Sequence, residues 1–410
     1  MKPKIIFSEE KKNWVKRPLL SNIEKILDYR GRTPKKLGLS WSGTGYLALS
    51  ALNVKNGYID FKLAANYGDQ ELYERWMGDN HLHKGQVVFT TEAPMGNVAQ
   101  IPNDDLYILS QRTIAFEVKH DLIREDFLAT LLRSSKIFNE LTSLSSGGTA
   151  KGISQKSLSN LKVCVPASLE EQSAIGSLFR TLDDLLSSYK DNLANYQSLK
   201  ATMLSKMFPK AGQTVPEIRL DGFVGEWEIK KFKSISTKRG KSNSKGYDYP
   251  AYSVSNQSGL IPQSEQFEGS RLENLEKISY KIVEPNEFAY NPARINVGSV
   301  AFNDLDKTVI VSSLYVIFSL DKSINNSYAL LFIKSPEFNK EVRRNTEGSV
   351  REYLFYENFA NIRIPIPPSL EEQQAIGTYF SNFDNLINSH QEKITQLETL
   401  KKKLLQDMFI

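Results

Sequence analysis

Two stretches of the chain repeat one pattern of apolar and polar residues. Residues 166–208 and 367–409 align without a gap at an offset of 201, with 18 identical residues in 43 positions. Within each stretch, apolar residues recur every three or four positions, which is the period of an amphipathic helix. The repeat therefore predicts two long helices of one kind.

Both predicted helices begin with the same polar signal. Ser168 stands three residues before Glu171, and Ser369 stands three residues before Glu372. This S-x-x-E spacing is that of the capping box, in which the Ser side chain accepts a first-turn backbone N–H. The spacing predicts helix starts at these two serines.

The apolar pattern also fits a heptad, in which positions a and d pair helices. The candidate pairing residues are Ile175, Leu178, Leu182, Leu185 and Tyr189 in the first helix, and Ile376, Tyr379, Phe383, Leu386 and His390 in the second. Apolar residues occupy e positions too, so we expect burial on more than one side. Parallel pairing would place the preceding domains side by side, and antiparallel pairing would place them at opposite ends. The residues alone leave both open.

The segments before the helices mix strand-like and helix-like patterns. Strands are predicted at 87–94, 113–118, 161–165 and 309–320, and helices at 126–144 and 327–344, the latter interrupted near Pro336. The chain is thus predicted to be α+β, with an internal repeat of one mixed domain and one long helix. The predicted parts are a first mixed domain at 1–165, a first helix with its linker at 166–212, a second mixed domain at 213–362 and a second helix at 363–410.

Composition narrows the class of protein. At 410 residues the chain is longer than one hydrophobic core usually supports, which agrees with two domains. A single cysteine, Cys164, excludes an internal disulfide framework and suits a reducing cytoplasm. No apolar run is long enough to span a bilayer, and the first residues do not resemble a secretory signal.

Motifs for catalysis are weak. The sequence has no G-x-G-x-x-G or Walker loop, so nucleotide binding is not predicted. Asn291 opens N-P-A-R, which lacks the second proline and the aromatic residue of an N-P-P-[FY] methyltransferase motif. Glu117 and Lys119 with Asp104 or Asp105 imitate a nuclease spacing, but the second copy has no counterpart. We therefore expect neither catalytic nor metal-binding residues.

Basic loops at matching places in the two copies are the candidate binding sites. Phosphates attract Lys and Arg, while Arg, Asn and Gln read base edges. The loops are RGRTPKK (30–36), KRGKSNSK (238–245) and the Gly-rich segments 147–156 and 347–353. The candidate nucleic-acid contacts are Arg30, Arg32, Lys35, Lys36 and Lys151 in the first copy, and Lys238, Arg239, Lys241, Asn243, Lys245 and Arg351 in the second. For any single loop, a solvated turn is the alternative.

The twin junctions VPASLEEQSAIGSLFRTLDDLL and IPPSLEEQQAIGTYFSNFDNLI resemble the specificity (S) subunit of type I restriction-modification systems, the HsdS family. The join FPKAGQTVPEIRLDGFVGEWE and the matching helix ends support the resemblance, which covers essentially the whole chain. It implies two target recognition domains that each read half of a split double-stranded DNA target. It also implies that the two long helices pair antiparallel as a coiled coil, and that the subunit is not itself an enzyme.

The resemblance further implies partners. Two modification subunits hold S-adenosylmethionine and methylate adenine N6, and restriction subunits use ATP with Mg²⁺; no cofactor is expected on this chain. Two other classes stay open: a single-chain DNA nuclease or methyltransferase with its own active site, and a coiled-coil scaffold with no role in DNA binding. Duplex binding together with the modification partner would separate the specificity subunit from a scaffold.

Overall fold

The computed structural model describes residues 14–147, 151–256, 259–266, 277–345 and 353–409. The chain divides into two compact units, Met1–Asp191 with Gln391–Ile410, and Asn192–His390. Each unit contains one mixed domain, the beginning of the long helix that follows it and the end of the other long helix. Within the described ranges, no helix is long and apolar enough to cross a membrane.

The first unit contains nine strands and four short helices within its described residues. The strands are β1 (Trp14–Pro18), β2 (Ile23–Asp28), β3 (Tyr46–Leu49), β4 (Tyr67–Gly68), β5 (Val87–Thr90), β6 (Val98–Gln100), β7 (Tyr107–Leu109), β8 (Thr113–Val118) and β9 (Lys162–Pro166). The helices are α1 (Gln70–Met77), α2 (Glu125–Leu132), α3 (Ser135–Leu144) and α4 (Gln155–Asn160). An antiparallel sheet in the order β2-β8-β5-β6 forms the centre, beside the sheet β4-β3-β7 and the pair β1-β9.

The second unit repeats the central sheet and the terminal strand pair of the first unit, but not its three-stranded sheet. Its strands are β10 (Glu228–Lys231), β11 (Ser236–Arg239), β12 (Tyr252–Ser255), β13 (Gly259–Pro262), β14 (Lys281–Val283), β15 (Phe288–Tyr290), β16 (Val300–Phe302), β17 (Val309–Val311), β18 (Val316–Leu320) and β19 (Arg363–Ile366). Its short helices are α6 (Gln263–Gln266), α7 (Asn326–Ile333), α8 (Pro336–Asn345) and α9 (Tyr356–Phe359). The central sheet β11-β18-β15-β16 has the same order as that of the first unit, and β10 pairs with β19 as β1 pairs with β9. The two-stranded pairs β12-β13 and β14-β17 are in place of the sheet β4-β3-β7.

Two predicted elements are each divided in the structure. The predicted strand 309–320 is β17 and β18, separated by a turn at Ser312–Tyr315, because its two halves belong to different sheets. The predicted helix 126–144 is α2 and α3, since Ser134 accepts the backbone N–H of Ile137 as a new helix cap. The predicted interruption near Pro336 is confirmed, as α8 begins at that proline.

The two long helices are α5 (Leu169–Lys206) and α10 (Leu370–Met408). The predicted starts are confirmed, because Ser168 Oγ accepts the Glu171 N–H at 3.3 Å and Ser369 Oγ accepts the Glu372 N–H at 3.1 Å. The two glutamate side chains bind the mixed domains. Glu171 accepts a hydrogen bond from Trp14 Nε1 at 3.1 Å, and Glu372 forms a two-pronged ion pair with Arg219.

The residue after each of these glutamates binds the loop before a domain helix. Gln172 accepts the N–H of Arg124 at 2.8 Å and donates to the carbonyl of Leu122 at 3.1 Å, just before α2. In the second unit, Gln373 accepts the N–H of Asn325 at 2.9 Å, just before α7. Both glutamines are buried, so their amides complete backbone groups that water does not reach.

A glycine in each helix allows close packing against the domain. A Cβ atom at Gly176 would lie 2.4 Å from the Cβ of Asp126 in α2. At the repeated position, Gly377 would place a Cβ 3.1 Å from that of Ser327 in α7. The repeated motif S-L-E-E-Q-x-A-I-G is therefore a docking motif that fixes each helix on its own domain.

In the first unit, the beginning of α5 runs antiparallel to the end of α10. Asp183 pairs with Lys401, and Lys190 pairs with Glu398 at 2.7 Å, so residue numbers rise along one helix as they fall along the other. The last residues of α10 reach the domain core, where the ring of Phe409 lies 6.1 Å from that of Trp14.

The second unit contains the same contacts with the helices exchanged. Lys200 of α5 pairs with Asp384 of α10, which are the residues 201 positions from Lys401 and Asp183. Phe208, just beyond the end of α5, packs 5.5 Å from Phe332 in the domain core. The α+β class with antiparallel helices and an internal repeat is thereby confirmed, and each domain core includes the end of the helix that belongs to the other repeat.

Burial differs between the heptad positions, since the a residues are buried or half-buried and part of the d residues are exposed. Ile175, Leu182, Ile376 and Phe383 are buried as predicted, and Leu178, Tyr189, Tyr379 and His390 are half-buried. In contrast, Leu185 and Leu386 are both 42% exposed, whereas residues at e such as Phe179 and Phe380 are fully buried. The buried stripe follows a and e because each helix beginning packs on its own domain as well as on the other helix.

The ion pair between the helices extends to the domain in the first unit. Arg133, at the end of α2, donates to Asp183 Oδ2 at 2.6 Å while its side chain is only 7% exposed. The repeat places Lys334 at the matching position in the second unit. Burial and nearby Lys200 lower the pKa of Lys334, although Asp384 acts in the opposite direction.

We predict that Asp183→Ala destabilises the protein far more than Asp384→Ala. Removing Asp183 leaves the buried guanidinium of Arg133 without its carboxylate, at a cost of about 2–4 kcal/mol. Asp384 is 51% exposed, so its loss should cost less than about 1 kcal/mol. Calorimetric unfolding of the two variants measures the difference. Equal losses would contradict the role assigned to the Arg133–Asp183 pair.

Candidate nucleic-acid interface

The central sheet of each domain brings several loops to one edge. In the first unit β2 and β5 end where β8 begins, since Asp28 pairs with Ile114 and Thr90 with Thr113 in antiparallel register. The matching strands β11, β15 and β18 have the same register. We call the loops at this edge the first loop cluster (28–36, 91–94, 110–113 and 151–156) and the second loop cluster (238–245, 291–297, 312–315 and 353–357).

Arg30 joins two predicted loops of the first loop cluster. Its Nε donates to both carboxylate oxygens of Asp28, at 3.0 and 2.9 Å, and its Nη1 donates to the carbonyl of Ile153 at 3.3 Å. Gln155 also donates to Asp28, at 2.8 Å. Burial would raise the pKa of Asp28, but the hydrogen bonds from Arg30 and Gln155 outweigh it and hold that pKa below its ordinary value. Arg30 therefore connects the basic loop to the Gly-rich loop.

The other basic residues of this loop differ in how they are held. The guanidinium of Arg32 lies 4.6 Å above the ring of Tyr29 and donates to the carbonyl of Trp76. Lys36 donates to the carbonyl of Gly31 at 2.7 Å. Lys35 is exposed and makes no ion pair with any residue that the structure describes. Lys35 is thus the residue of this loop most available to an external phosphate.

The Gly-rich loop of the first copy rises from the same edge. Ser146 and Gly152 exchange backbone hydrogen bonds of 3.0 and 2.9 Å, which close the base of the loop. Lys151 is exposed beside this base, so the structure brings it to the same cluster as Arg30. The neighbouring residues 148–150 lie outside the described residues.

The predicted contacts of the second copy lie partly on a strand. Lys238 and Arg239 are in β11, where Lys238 pairs with Glu357 at 2.7 Å and Arg239 donates to Ser319 Oγ at 3.0 Å. Lys241 and Lys245 follow in the loop and are exposed, and neither pairs with an acid among the described residues. These two lysines are the free cations of the basic segment.

Asn243 corrects the sequence interpretation. Its side chain is 1% exposed, and its amide donates to the carbonyls of Tyr247 and Lys277 at 2.8 and 3.3 Å. Its Oδ1 accepts the N–H of Tyr247 at 3.1 Å. A base edge has no access to this side chain, because the loop folds around it. Asn243 shapes the loop from inside.

Arg351, the remaining predicted contact, lies outside the described residues. The chain that follows is anchored at Leu354, whose N–H donates to the carbonyl of Pro292 at 3.0 Å and whose carbonyl accepts from Tyr290 Oη at 3.0 Å. On either side of this anchor, Tyr353 and Phe355 are exposed with their rings stacked 5.9 Å apart. The second loop cluster is therefore more aromatic than the first.

Sequence reasoning missed the turn that leads into the central sheet of each domain, between β7 and β8 in the first unit and between β17 and β18 in the second. This turn presents Arg112 in the first unit and Leu314 in the second, and both side chains are exposed. The signal was present, since residues 107–116 and 309–318 align without a gap around a shared serine, Ser110 and Ser312. It was overlooked because 309–320 was interpreted as one strand.

The weak catalytic motifs have ordinary structural contacts. Asn291 Oδ1 accepts the N–H of Ala293 at 3.0 Å, as in a tight turn, and Lys119 donates to the carbonyl of Ser21 at 3.3 Å. Asp104 accepts the N–H of Lys84 at 3.1 Å. Within the described ranges, no group of three or more His, Cys, Asp or Glu side chains is placed to hold a metal ion.

The family profile described as "Type I restriction modification DNA specificity domain" matches the chain twice, at residues 12–195 and 224–399. The type I restriction enzyme MjaVIII specificity subunit of Methanocaldococcus jannaschii is 23% identical over 315 residues, which cover 73% of this chain and 72% of that protein. The crystal structure of a type I restriction-modification S subunit from M. genitalium shares the fold, with a TM-score of 0.63, 15% identity, and coverage of 100% of this chain and 99% of that one.

A second solved chain, from a study of complex assembly and conformational transition of the type I R-M system, has a TM-score of 0.51 at 17% identity and covers 96% of both chains. The double family match spans most of the sequence. The chain belongs to the family of type I restriction-modification DNA specificity domains. It is a specificity subunit, whose role in such a system is recognition of the DNA target.

We predict that Lys35→Ala weakens DNA binding through lost charge alone. If Lys35 contacts a phosphate, the slope of log affinity against log salt should change by about 0.9. The control is Lys162→Ala, which removes the same charge from an exposed position on β9, outside the loop cluster. Binding titrations at several salt concentrations measure both slopes. An unchanged slope for Lys35→Ala would assign this loop to the solvated turns.

Proposed function

We propose that this chain is the non-catalytic reading subunit of a cytoplasmic type I complex, and that it recognises a two-part DNA sequence. The recognition domains at 1–165 and 213–362 each contact one part of the double-stranded target through their loop cluster. The observation that carries the proposal is the duplication itself. One chain contains two copies of the family's DNA specificity domain, with the same sheet order and the same exposed edge.

Differences between the two edges support two different half-sites. Exposed cations dominate the first loop cluster, as at Lys35 and Lys151, while the second also carries the stacked pair Tyr353 and Phe355. The segment 1–165 has a net charge of +6, and 213–362 has none. Two domains with one fold but different surface residues are suited to different base sequences.

Exposed leucines on the long helices support the docking of two further subunits. In the first unit the Asp183–Lys401 pair brings Leu185 and Leu400 to one level of the helix pair, and they are 42% and 46% exposed. In the second unit Lys200–Asp384 does the same for Leu199 and Leu386, which are 46% and 42% exposed. We call these the first and second leucine patches.

Each leucine patch offers the apolar surface that a protein partner covers. Because the repeat makes the two patches equivalent, they are suited to two copies of one partner. We assign these copies to two modification subunits, which hold S-adenosylmethionine and methylate adenine N6. Restriction subunits, with ATP and Mg²⁺, join the same complex. This chain supplies recognition and assembly.

The test is selection of DNA by the assembled complex. The purified chain with its modification partner is offered a library of random duplexes, and the bound fraction is sequenced. The expected result is one motif with two short specific parts and a spacer of fixed length and free composition. A continuous motif, or no sequence preference, would overturn the proposal.

We predict that the weak catalytic motifs are dispensable. Ala substitution of Glu117, Lys119 or Asn291 should leave methylation by the assembled complex within a few-fold of wild type, since Lys119 and Asn291 contact backbone groups and the described residues contain no metal-binding cluster. Methyl transfer to a target duplex is measured beside DNA binding and assembly. Loss of methylation with binding and assembly intact would point to an active site in this chain.

We predict that each leucine patch holds one modification subunit. Leu185→Glu with Leu400→Glu should remove one subunit from the complex, because a carboxylate at a buried apolar contact is strongly unfavourable. Adding Leu199→Glu and Leu386→Glu should remove the second. Native mass spectrometry counts the subunits.

The matched control for this prediction is Leu52→Glu, which changes a leucine that is 66% exposed in the first recognition domain. It should leave both modification subunits bound. A complex that keeps both subunits after all four helix substitutions would exclude the leucine patches as docking sites.

A further inference from the structure

The turn between β7 and β8 belongs to the first loop cluster, and its repeat between β17 and β18 belongs to the second. Both turns begin with a serine, Ser110 or Ser312, and lead into the central strand that pairs with two neighbours. The residue two positions further is Arg112 in the first domain and Leu314 in the second. The same turn thus carries a charged side chain in the first domain and an apolar side chain in the second.

Hydrogen bonds to neighbouring strands and loops fix the first turn. Ser110 N–H donates to the carbonyl of Leu49 at 2.9 Å, and the buried Thr113 hydroxyl donates towards Leu49 O and Ser110 O, at 3.0 and 2.7 Å. Thr91 N–H donates to the carbonyl of Arg112 at 2.8 Å. The backbone at Arg112 is therefore fixed before any ligand arrives.

Arg112 itself has an unusual backbone conformation. Its φ is +66°, in the left-handed region that residues other than glycine rarely adopt. Such conformations cost free energy and persist where the surrounding contacts impose them, often at functional sites. Its guanidinium is exposed and lies 3.6 Å from Glu92 Oε2, also exposed, so the ion pair is weak and easily exchanged.

The second turn is fixed in a similar way. Tyr315 N–H donates to the carbonyl of Ser312 at 3.1 Å, and Lys281 donates to the carbonyl of Tyr315 at 2.6 Å. At the tip, Leu314 is 75% exposed. Exposing such a large apolar side chain to water is unfavourable. Leu314 lies at the edge where we expect the second half-site to bind.

We propose that Arg112 and Leu314 read bases directly, an inference that rests on the proposed function. The Arg112 guanidinium donates two hydrogen bonds to O6 and N7 of a guanine in the half-site of the first domain. Leu314 contacts the C5-methyl group of a thymine in the half-site of the second. These are the partners that an arginine and an apolar side chain find in the major groove.

The other basic residues of the first loop cluster are less suited to reading a base. Arg30 and Arg32 are exposed, but their guanidinium groups already donate hydrogen bonds to Asp28 and to the carbonyl of Trp76. Lys35 is a point charge suited to phosphate. Arg112 differs from these two arginines, because its exposed guanidinium is held only by a weak ion pair while its backbone is fixed. Bidentate recognition of one base requires this combination.

The test compares Arg112→Asn and Leu314→Ser in the complex with the modification partner. Asparagine tolerates the left-handed conformation, so the turn survives the change. The controls are Arg75→Asn on α1, an exposed arginine paired with Glu71, and Val224→Ser, 82% exposed in the segment before β10. Each complex competes for duplexes in which every target position is substituted in turn.

For Arg112→Asn, discrimination in favour of guanine at one position should fall about 5- to 150-fold, with the other half-site unchanged. For Leu314→Ser, preference for thymine at one position of the other half-site should fall about fourfold. Arg112→Lys keeps the charge and should also lose guanine discrimination while keeping the salt dependence. It decides the question if Arg112→Asn does not assemble. Both controls should keep the wild-type pattern.

Three outcomes would overturn the inference. Variants that keep the wild-type base preferences would remove Arg112 and Leu314 from the reading residues. Equal weakening on all duplexes, with a salt slope lowered by about 0.9, would make Arg112 a phosphate contact. A wild-type complex without a two-part preference would overturn the proposed function itself, and so the three failures are distinguishable.

Discussion

The antiparallel pairing of α5 and α10 is the constraint on which the rest of the structure depends. A repeated ion pair marks its register, Asp183 with Lys401 and Lys200 with Asp384. Because of it, the end of each helix completes the core of a domain in the other repeat, as Phe409 does beside Trp14 and Phe208 beside Phe332. The first compact unit therefore combines two separate segments of sequence, Met1–Asp191 and Gln391–Ile410.

The residues that assemble the molecule are separate from the two loop clusters, where we propose that DNA binds. In both copies of the motif S-L-E-E-Q-x-A-I-G, the serine, the second glutamate, the glutamine and the glycine have matching partners: a helix N-terminus, a domain side chain, a loop before a helix and a closely packed domain helix. The two loop clusters do not share such fixed contacts, and matching positions in them are occupied by different residues, Arg112 and Leu314. A chain built in this way can change its target without changing its assembly.

Local pattern predicted the two long helices and a minority of the strands, and tertiary contacts determined the rest. The serine caps and the helical period were readable because they depend on neighbours in sequence, whereas the choice between d and e, as at Leu185 and Phe179, depends on where the domain packs. Asn243 was misjudged because burial of a loop asparagine requires knowledge of the fold. Arg112 was missed because its position at the edge follows from strand order, which the sequence did not supply.

Cross-linking of cysteine pairs tests the antiparallel pairing most directly. With Cys164 replaced by Ser, cysteines are introduced at 183 and 401, or at 200 and 384, and a short thiol-reactive cross-linker is added to the native protein. The structure predicts efficient cross-links within both pairs and none for the exchanged combinations 183 with 384 and 200 with 401. Parallel helices would give the opposite result, with cross-links in the exchanged combinations, and would contradict the account.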